Sequence, residues 1–171
     1  MNVAMTCRHF PTALLPGAAA IFVSAAILIS GAIPAPVAAQ DIPLIGTFGD
    51  WSAFAGKDGG KQVCYAGSIP KKSVGTYKTR GESLVLVTHR PAEKSVNVVS
   101  VQAGYTYKKD SPVDIIIDGV TFEMFTDSGH AWAAGATADM VLTLAMKAGK
   151  TMVVQGTSSR GTKTSDTYSL A

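Results

Sequence analysis

Past its first forty residues the chain alternates between short apolar runs and turn residues, with almost no helical spacing. Thr47 to Phe54 reads as a first strand and Lys61 to Gly67 as its return. Between them Ala55-Gly-Lys-Asp-Gly-Gly60 supplies three glycines that accept positive φ, so the pair reads as a hairpin with a longer loop. Residues 68–81, with Pro70, Lys71, Lys72 and Gly75, read as an exposed connection. Glu82 to His89 is a continuous, β-branched run, the pattern of a central strand, and Arg90-Pro91 ends it. Ser95 to Ala103 follows, then a loop from Gly104 to Pro112.

Val113 to Ile117 and Val120 to Phe125 flank Asp118-Gly119, the strongest hairpin signal in the sequence. Asp-Gly suits a two-residue type I′ turn because both central residues take φ > 0. Asp127-Ser-Gly129 turns again, and His130 to Ala133 is a short strand. A single helix is predicted over Asp139 to Ala148, with Thr137 as cap, Asp139 in the first turn, Lys147 in the last and Gly149 after it. Met140, Val141, Leu144 and Ala148 mark its expected core stripe. Thr151 to Gln155 and Thr162 to Leu170, joined by a turn over Gly156 to Gly161, complete the chain. The pattern predicts a mainly β fold, an antiparallel β-sandwich with one short helix.

The N-terminus has a different character. Arg8 precedes an apolar run from Gly17 to Ser30, and Val37 and Ala39 suit the −3 and −1 subsites of a signal peptidase. Residues 1–39 therefore read as a secretory signal cleaved before Gln40. A single membrane anchor is the alternative, and Pro34 and Pro36 just beyond the run favour cleavage. The expected mature chain is a lead-in at 40–46 and one domain at 47–171, without stable membrane insertion.

The full chain carries 15 Lys and Arg against 12 Asp and Glu; losing Arg8 lowers its +3 to +2. So small and interspersed an excess excludes a dedicated nucleic-acid binder, which shows a basic stripe. The doublets Lys71-Lys72 and Lys108-Lys109 read as solvated loop charges or a weak attraction to an anionic envelope surface. Cys7 would leave with the signal. Cys64 would then be an odd cysteine: a buried thiol, half of an intermolecular bridge, or a residue whose partner is missing.

No catalytic or cofactor motif withstands inspection. Gly156-Thr-Ser-Ser-Arg-Gly-Thr-Lys-Thr164 resembles a phosphate loop, but Thr162 separates Gly161 from Lys163 and a strand follows instead of a helix. His89 and His130 lack a nucleophile elbow. With Cys64 they form no zinc spacing, and Asp114, Asp118 and Asp127 form no calcium loop. No enzyme activity, metal or cofactor is expected. Trp51 and Trp132 read as inward residues. Tyr105 and Tyr107 are divided between packing and recognition, and Arg160 between an anion contact and holding turn carbonyls, the latter preferred.

Several segments taken in order are similar to one family. They are Phe48-Gly-Asp-Trp51, Val63-Cys-Tyr-Ala66, His89-Arg-Pro-Ala92, Val99 to Gly104, Gly156-Thr-Ser-Ser-Arg-Gly-Thr162 and Asp166-Thr-Tyr-Ser-Leu170. The chain resembles the invasion-associated locus B proteins over residues 45–170. The resemblance implies an immunoglobulin-like sandwich and a role in the bacterial envelope, named for host-cell invasion in pathogenic members, with no catalytic residue or cofactor to transfer. Family chains often continue into a short tail with a further cysteine, whereas this one stops at Ala171. Some have a cysteine where Ala53, Phe54 and Ala55 stand here.

The expectation is an exported protein of the periplasm or cell surface that acts by contact with an unknown protein at the envelope or host surface. Lys71, Lys72, Tyr105, Tyr107 and Arg160 are its candidate interaction residues. A periplasmic small-ligand or stress-support module, using a groove between sheets, is the alternative.

Overall fold

The computed structural model describes residues 42–171. The expected signal segment and its cleavage site lie outside the described residues. Eleven antiparallel strands and one helix form the domain. β1 (Leu44–Phe48), β2 (Trp51–Asp58), β3 (Lys61–Ser68), β5 (Leu84–Arg90) and β6 (Ser95–Gln102) are consecutive neighbours, apart from the short β4 (Lys72–Gly75). The order continues through β9 (His130–Trp132), β8 (Val120–Asp127), β7 (Val113–Ile117), β10 (Thr151–Thr157) and β11 (Lys163–Ser169), and ends on β4.

β8 joins the two halves. Val120 to Met124 pair with β7, whereas Phe125 to Asp127 pair with β9. A strand that changes partners along its length turns a corner between sheets. The inward residues of both halves then meet in one core, Val85, Val99 and Val101 from one side with Ile115, Met152 and Tyr168 from the other. This arrangement is compatible with the expected sandwich. The Asp118-Gly119 turn forms as its sequence demands, with φ of 46° and 91° and Ile117 paired to Val120.

Three local readings are corrected. The first expected strand is two, because Gly49 takes φ 60° and turns the chain; the lead-in becomes β1, an edge strand on β2. The exposed connection contains β4, which pairs with β11 as the opposite edge. The last turn starts at Ser158, since Gly156 and Thr157 still pair with β11.

The helix is corrected in its buried face. α1 (Ala136–Ala148) starts at Gly135 without a side-chain cap, so Thr137 does not cap it. Asp139, Leu142, Thr143 and Met146 are buried, at i, i+3, i+4 and i+7. Met140, Val141 and Leu144 are 49%, 47% and 59% exposed, and Ala148 is exposed too. The reason lies in β6. β9 covers only Ser100 to Gln102, leaving the preceding backbone without a strand on that side. Asp139 Oδ1 accepts from Val99 N–H at 2.9 Å, and Thr143 Oγ1 donates to the Asn97 carbonyl at 3.3 Å. Satisfying that bare edge outweighs burying the most apolar stripe.

Candidate functional site

A concavity lies where the irregular segment before β5, the segment after β6 and the β10–β11 turn converge. Its volume is about 710 Å³, and Tyr77, Lys78, Arg80, Tyr105, Ser159 and Arg160 are among its lining residues. Two close backbone approaches shape it. Gly81 N–H donates to the Gly104 carbonyl at 2.9 Å, and a Cβ on Gly104 would lie 2.2 Å from the Gly81 oxygen. Gly104 also takes φ 73°, so both its conformation and its clearance require glycine. Gly156 makes room for the tyrosines: a Cβ there would lie 2.7 Å from the Tyr107 ring and 3.1 Å from the Tyr105 hydroxyl.

The floor is a buried ion pair. The Arg80 guanidinium donates to both Asp166 oxygens, at 2.7 and 2.5 Å, and its Nε to the Ala103 carbonyl at 2.7 Å. Both side chains are nearly sealed, at 6% and 2% exposure, so each charge depends on the other. Ser83 Oγ donates to Asp166 at 3.1 Å and lies 3.0 Å from the Tyr168 hydroxyl. The Tyr105 hydroxyl meets Thr164 Oγ1 at 2.6 Å, and the Arg80 charge sits 4.9 Å from the Tyr105 ring centre. No buried side-chain nitrogen or oxygen among the described residues lacks a hydrogen-bond partner.

Burial sets the protonation of this floor. It works against the Arg80 charge, but the hydrogen bonds and charge of Asp166 outweigh it and raise Arg80 above its ordinary value. Burial pushes the Tyr168 hydroxyl up to about 12 and raises Tyr105 and Tyr107 as well. All three phenols stay neutral, available as hydrogen-bonding groups. The network is thus a fully hydrogen-bonded support beneath the cleft.

The sequence candidates scatter. Tyr105 and Arg160 both line the cleft. Tyr107 is 5% exposed and packs edge-on against Tyr105, so it belongs to the core and is removed as a recognition residue. Arg160 is exposed at the turn tip. The turn is held instead by Gly161 N–H to the Ser158 carbonyl and Thr162 N–H to Ser158 Oγ, which corrects the carbonyl-holding role preferred for Arg160. Lys71 pairs with Asp50 at 2.6 Å, and that bond holds the Asp50 carboxyl below its usual range. Lys72 lies exposed on edge strand β4, away from the cleft lining.

Trp51 and Trp132 are both half-buried, and Trp51 packs against the core as expected of an inward residue. Trp51 donates its indole N–H to the Ser169 carbonyl at 2.9 Å, tying β2 to β11. Cys64 is 2% exposed and is not a free thiol, which corrects its reading as an odd cysteine; Cys7 lies outside the described residues. His89 Nδ1 accepts from Asn97 N–H at 3.0 Å, and burial and the nearby Lys147 charge lower its pKa. His130 is exposed and stacks on Trp132. No group of three or more potential metal ligands occurs among the described residues.

The sequence reading missed Arg80, Ser83, Asp166 and Tyr168. Asp166 and Tyr168 stand in the Asp166-Thr-Tyr-Ser-Leu170 segment of the family resemblance, but nothing there points to Arg80, whose ion-pair partner lies 86 residues away.

These features define an all-antiparallel β domain with one α-helix, a nearly sealed ion pair and, above it, an open cleft lined by hydroxyl-bearing and cationic side chains. The chain belongs to the invasion associated locus B family, whose model matches residues 51–171. No curated protein and no solved structure gives a significant match. Among the described residues, no helix is long and apolar enough to cross a membrane.

Proposed function

We propose that this is an exported, non-enzymatic envelope protein that acts through protein–protein contact, in invasion where the host bacterium is a pathogen. The signal-like first 39 residues and the family membership support the site of action. The observation that carries the contact mode is the outer face of α1. Surface helices ordinarily turn charged and polar residues outward. Here Met140, Val141 and Leu144 are about half exposed, and Val96, on the strand that α1 covers, is 55% exposed. An apolar face of this kind favours a partner that covers it.

The test combines fractionation, protease shaving of intact cells and a photocrosslinker. A processed protein that is removed by shaving, and that crosslinks to one discrete partner from position 144 but not from the exposed position 57, is the expected result. An unprocessed or cytoplasmic protein, or equal crosslinking from both positions, would overturn the reading.

A second reading, a periplasmic ligand-binding module, is favoured by the cleft over Arg80 and Asp166. Its ligand would sit at the end of the strands, in the cleft, rather than in a groove between sheets, where the shared core is filled by side chains. A processed protein protected from shaving would move weight to it.

A further inference from the structure

The cleft has an unusual lining. Among the described residues that form it there is no carboxylate and no aliphatic side chain. Five threonines, two serines and two tyrosines face it, with Lys78 and Arg160 at its rim and Arg80 beneath. Arg80 is already neutralised by Asp166. Lys78 and Arg160 take part in none of the four ion pairs among the described residues. The hydroxyls of Thr76, Thr79, Thr106 and Ser159 make no side-chain hydrogen bond there either.

From this we propose that the cleft binds an acidic saccharide, a sugar chain carrying carboxylate groups. Three requirements of such a ligand are met by different residues. A polyol needs many groups that both donate and accept, and threonine and serine hydroxyls do both. A sugar ring needs a flat, partly apolar surface, and Tyr77 is 39% exposed with its ring resting against Gly75, where a Cβ would approach to 2.8 Å. Its charge needs unpaired cations, which Lys78 and Arg160 provide, Arg160 with a planar fork that matches a carboxylate.

The competing ligand classes fit less well. A lipid tail finds no aliphatic wall. A small inorganic anion would leave most of the hydroxyls and the Tyr77 ring unused. The size of the cleft falls in the range of about 300–1,000 Å³ usual for ligand sites. Tyr105 and Thr164 are already bonded to each other, so this part of the surface is formed before a ligand arrives.

The test is calorimetric titration of the purified protein with an oligogalacturonate. A neutral galactose oligomer and hexaglutamate serve as the sugar-only and charge-only controls. The expected result is oligogalacturonate binding that exceeds both controls and weakens about tenfold or more in Lys78→Ala/Arg160→Ala, and again in Tyr77→Ala. Tyr77→Phe should retain most of the affinity. Lys78 and Arg160 have no partners to lose, so those variants should melt as the wild type does, and a thermal scan separates lost binding from lost folding. No binding of the oligogalacturonate, binding unchanged in the variants, or equal binding of hexaglutamate would each overturn the proposal.

Discussion

Arg80 and Asp166 meet in a two-pronged ion pair that fastens the segment before β5 to the middle of β11. Each is the other's only charged partner among the described ion pairs. Removing one leaves a nearly buried charge without its partner. Asp166→Asn or Arg80→Ala should therefore destabilise the domain by about 3–5 kcal/mol, measured by urea unfolding. Replacing both by apolar residues of similar volume should cost clearly less than either single change. Equal losses in all three variants would show that packing, not charge, dominates here.

Two neighbours on α1 should behave in opposite ways. Leu142 is 1% exposed and Leu144 is 59% exposed. Leu142→Ala should cost about 2–5 kcal/mol and Leu144→Ala at most about 0.5 kcal/mol. Paired denaturation curves check this, and they decide directly which stripe of the helix faces the core.

Two glycines with positive φ should also separate. A methyl group on Gly104 meets the Gly81 backbone, whereas around Gly119 nothing lies within 4 Å. Gly119→Ala should cost about 1 kcal/mol, from backbone strain alone. Gly104→Ala should cost more, by a further 1–3 kcal/mol or so, because a backbone atom must move. Thermal melts of the two variants give the comparison.

His89 gives the protein a pH dependence of known sign. Its Nδ1 accepts a backbone N–H, which requires the neutral ring, and burial followed by the Lys147 charge depresses its folded pKa below 6.5. Between the depressed value and 6.5 the unfolded chain binds more protons than the folded one. Stability from this group is thus full above 6.5, declines as pH falls below it, and levels off below the folded pKa. His89→Gln should flatten that part of the curve. A wild-type urea midpoint that rises from pH 7 to pH 5.5 relative to the variant would contradict the assignment.

Much of the strand framework was legible because alternation and turn chemistry are local. Asp118-Gly119 specifies its hairpin without help from the rest of the chain, and Arg90-Pro91 ends β5 where expected. The helix face was not legible in the same way. Its orientation depends on unmet backbone groups at Val99 and Asn97, and no property of residues 136–148 reports them. β4 escaped notice because Lys72-Ser-Val-Gly75 has too few apolar residues to look like a strand and owes its pairing to β11. The cleft was half legible: Tyr105 and Arg160 drew attention as exposed loop candidates. Its ionic floor was hidden, since an arginine and an aspartate 86 residues apart carry no mutual signature.

The double allegiance of β8 sets the way the molecule comes apart. Val120 to Met124 belong to one half of the sheet and Phe125 to Asp127 to the other, so neither half has a complete border of its own. A chain built this way has no smaller fragment to fall back on, and it should unfold in a single cooperative step. Its deepest amides, on β6 and β10, should exchange with solvent only when the whole domain opens, and therefore with one common opening free energy.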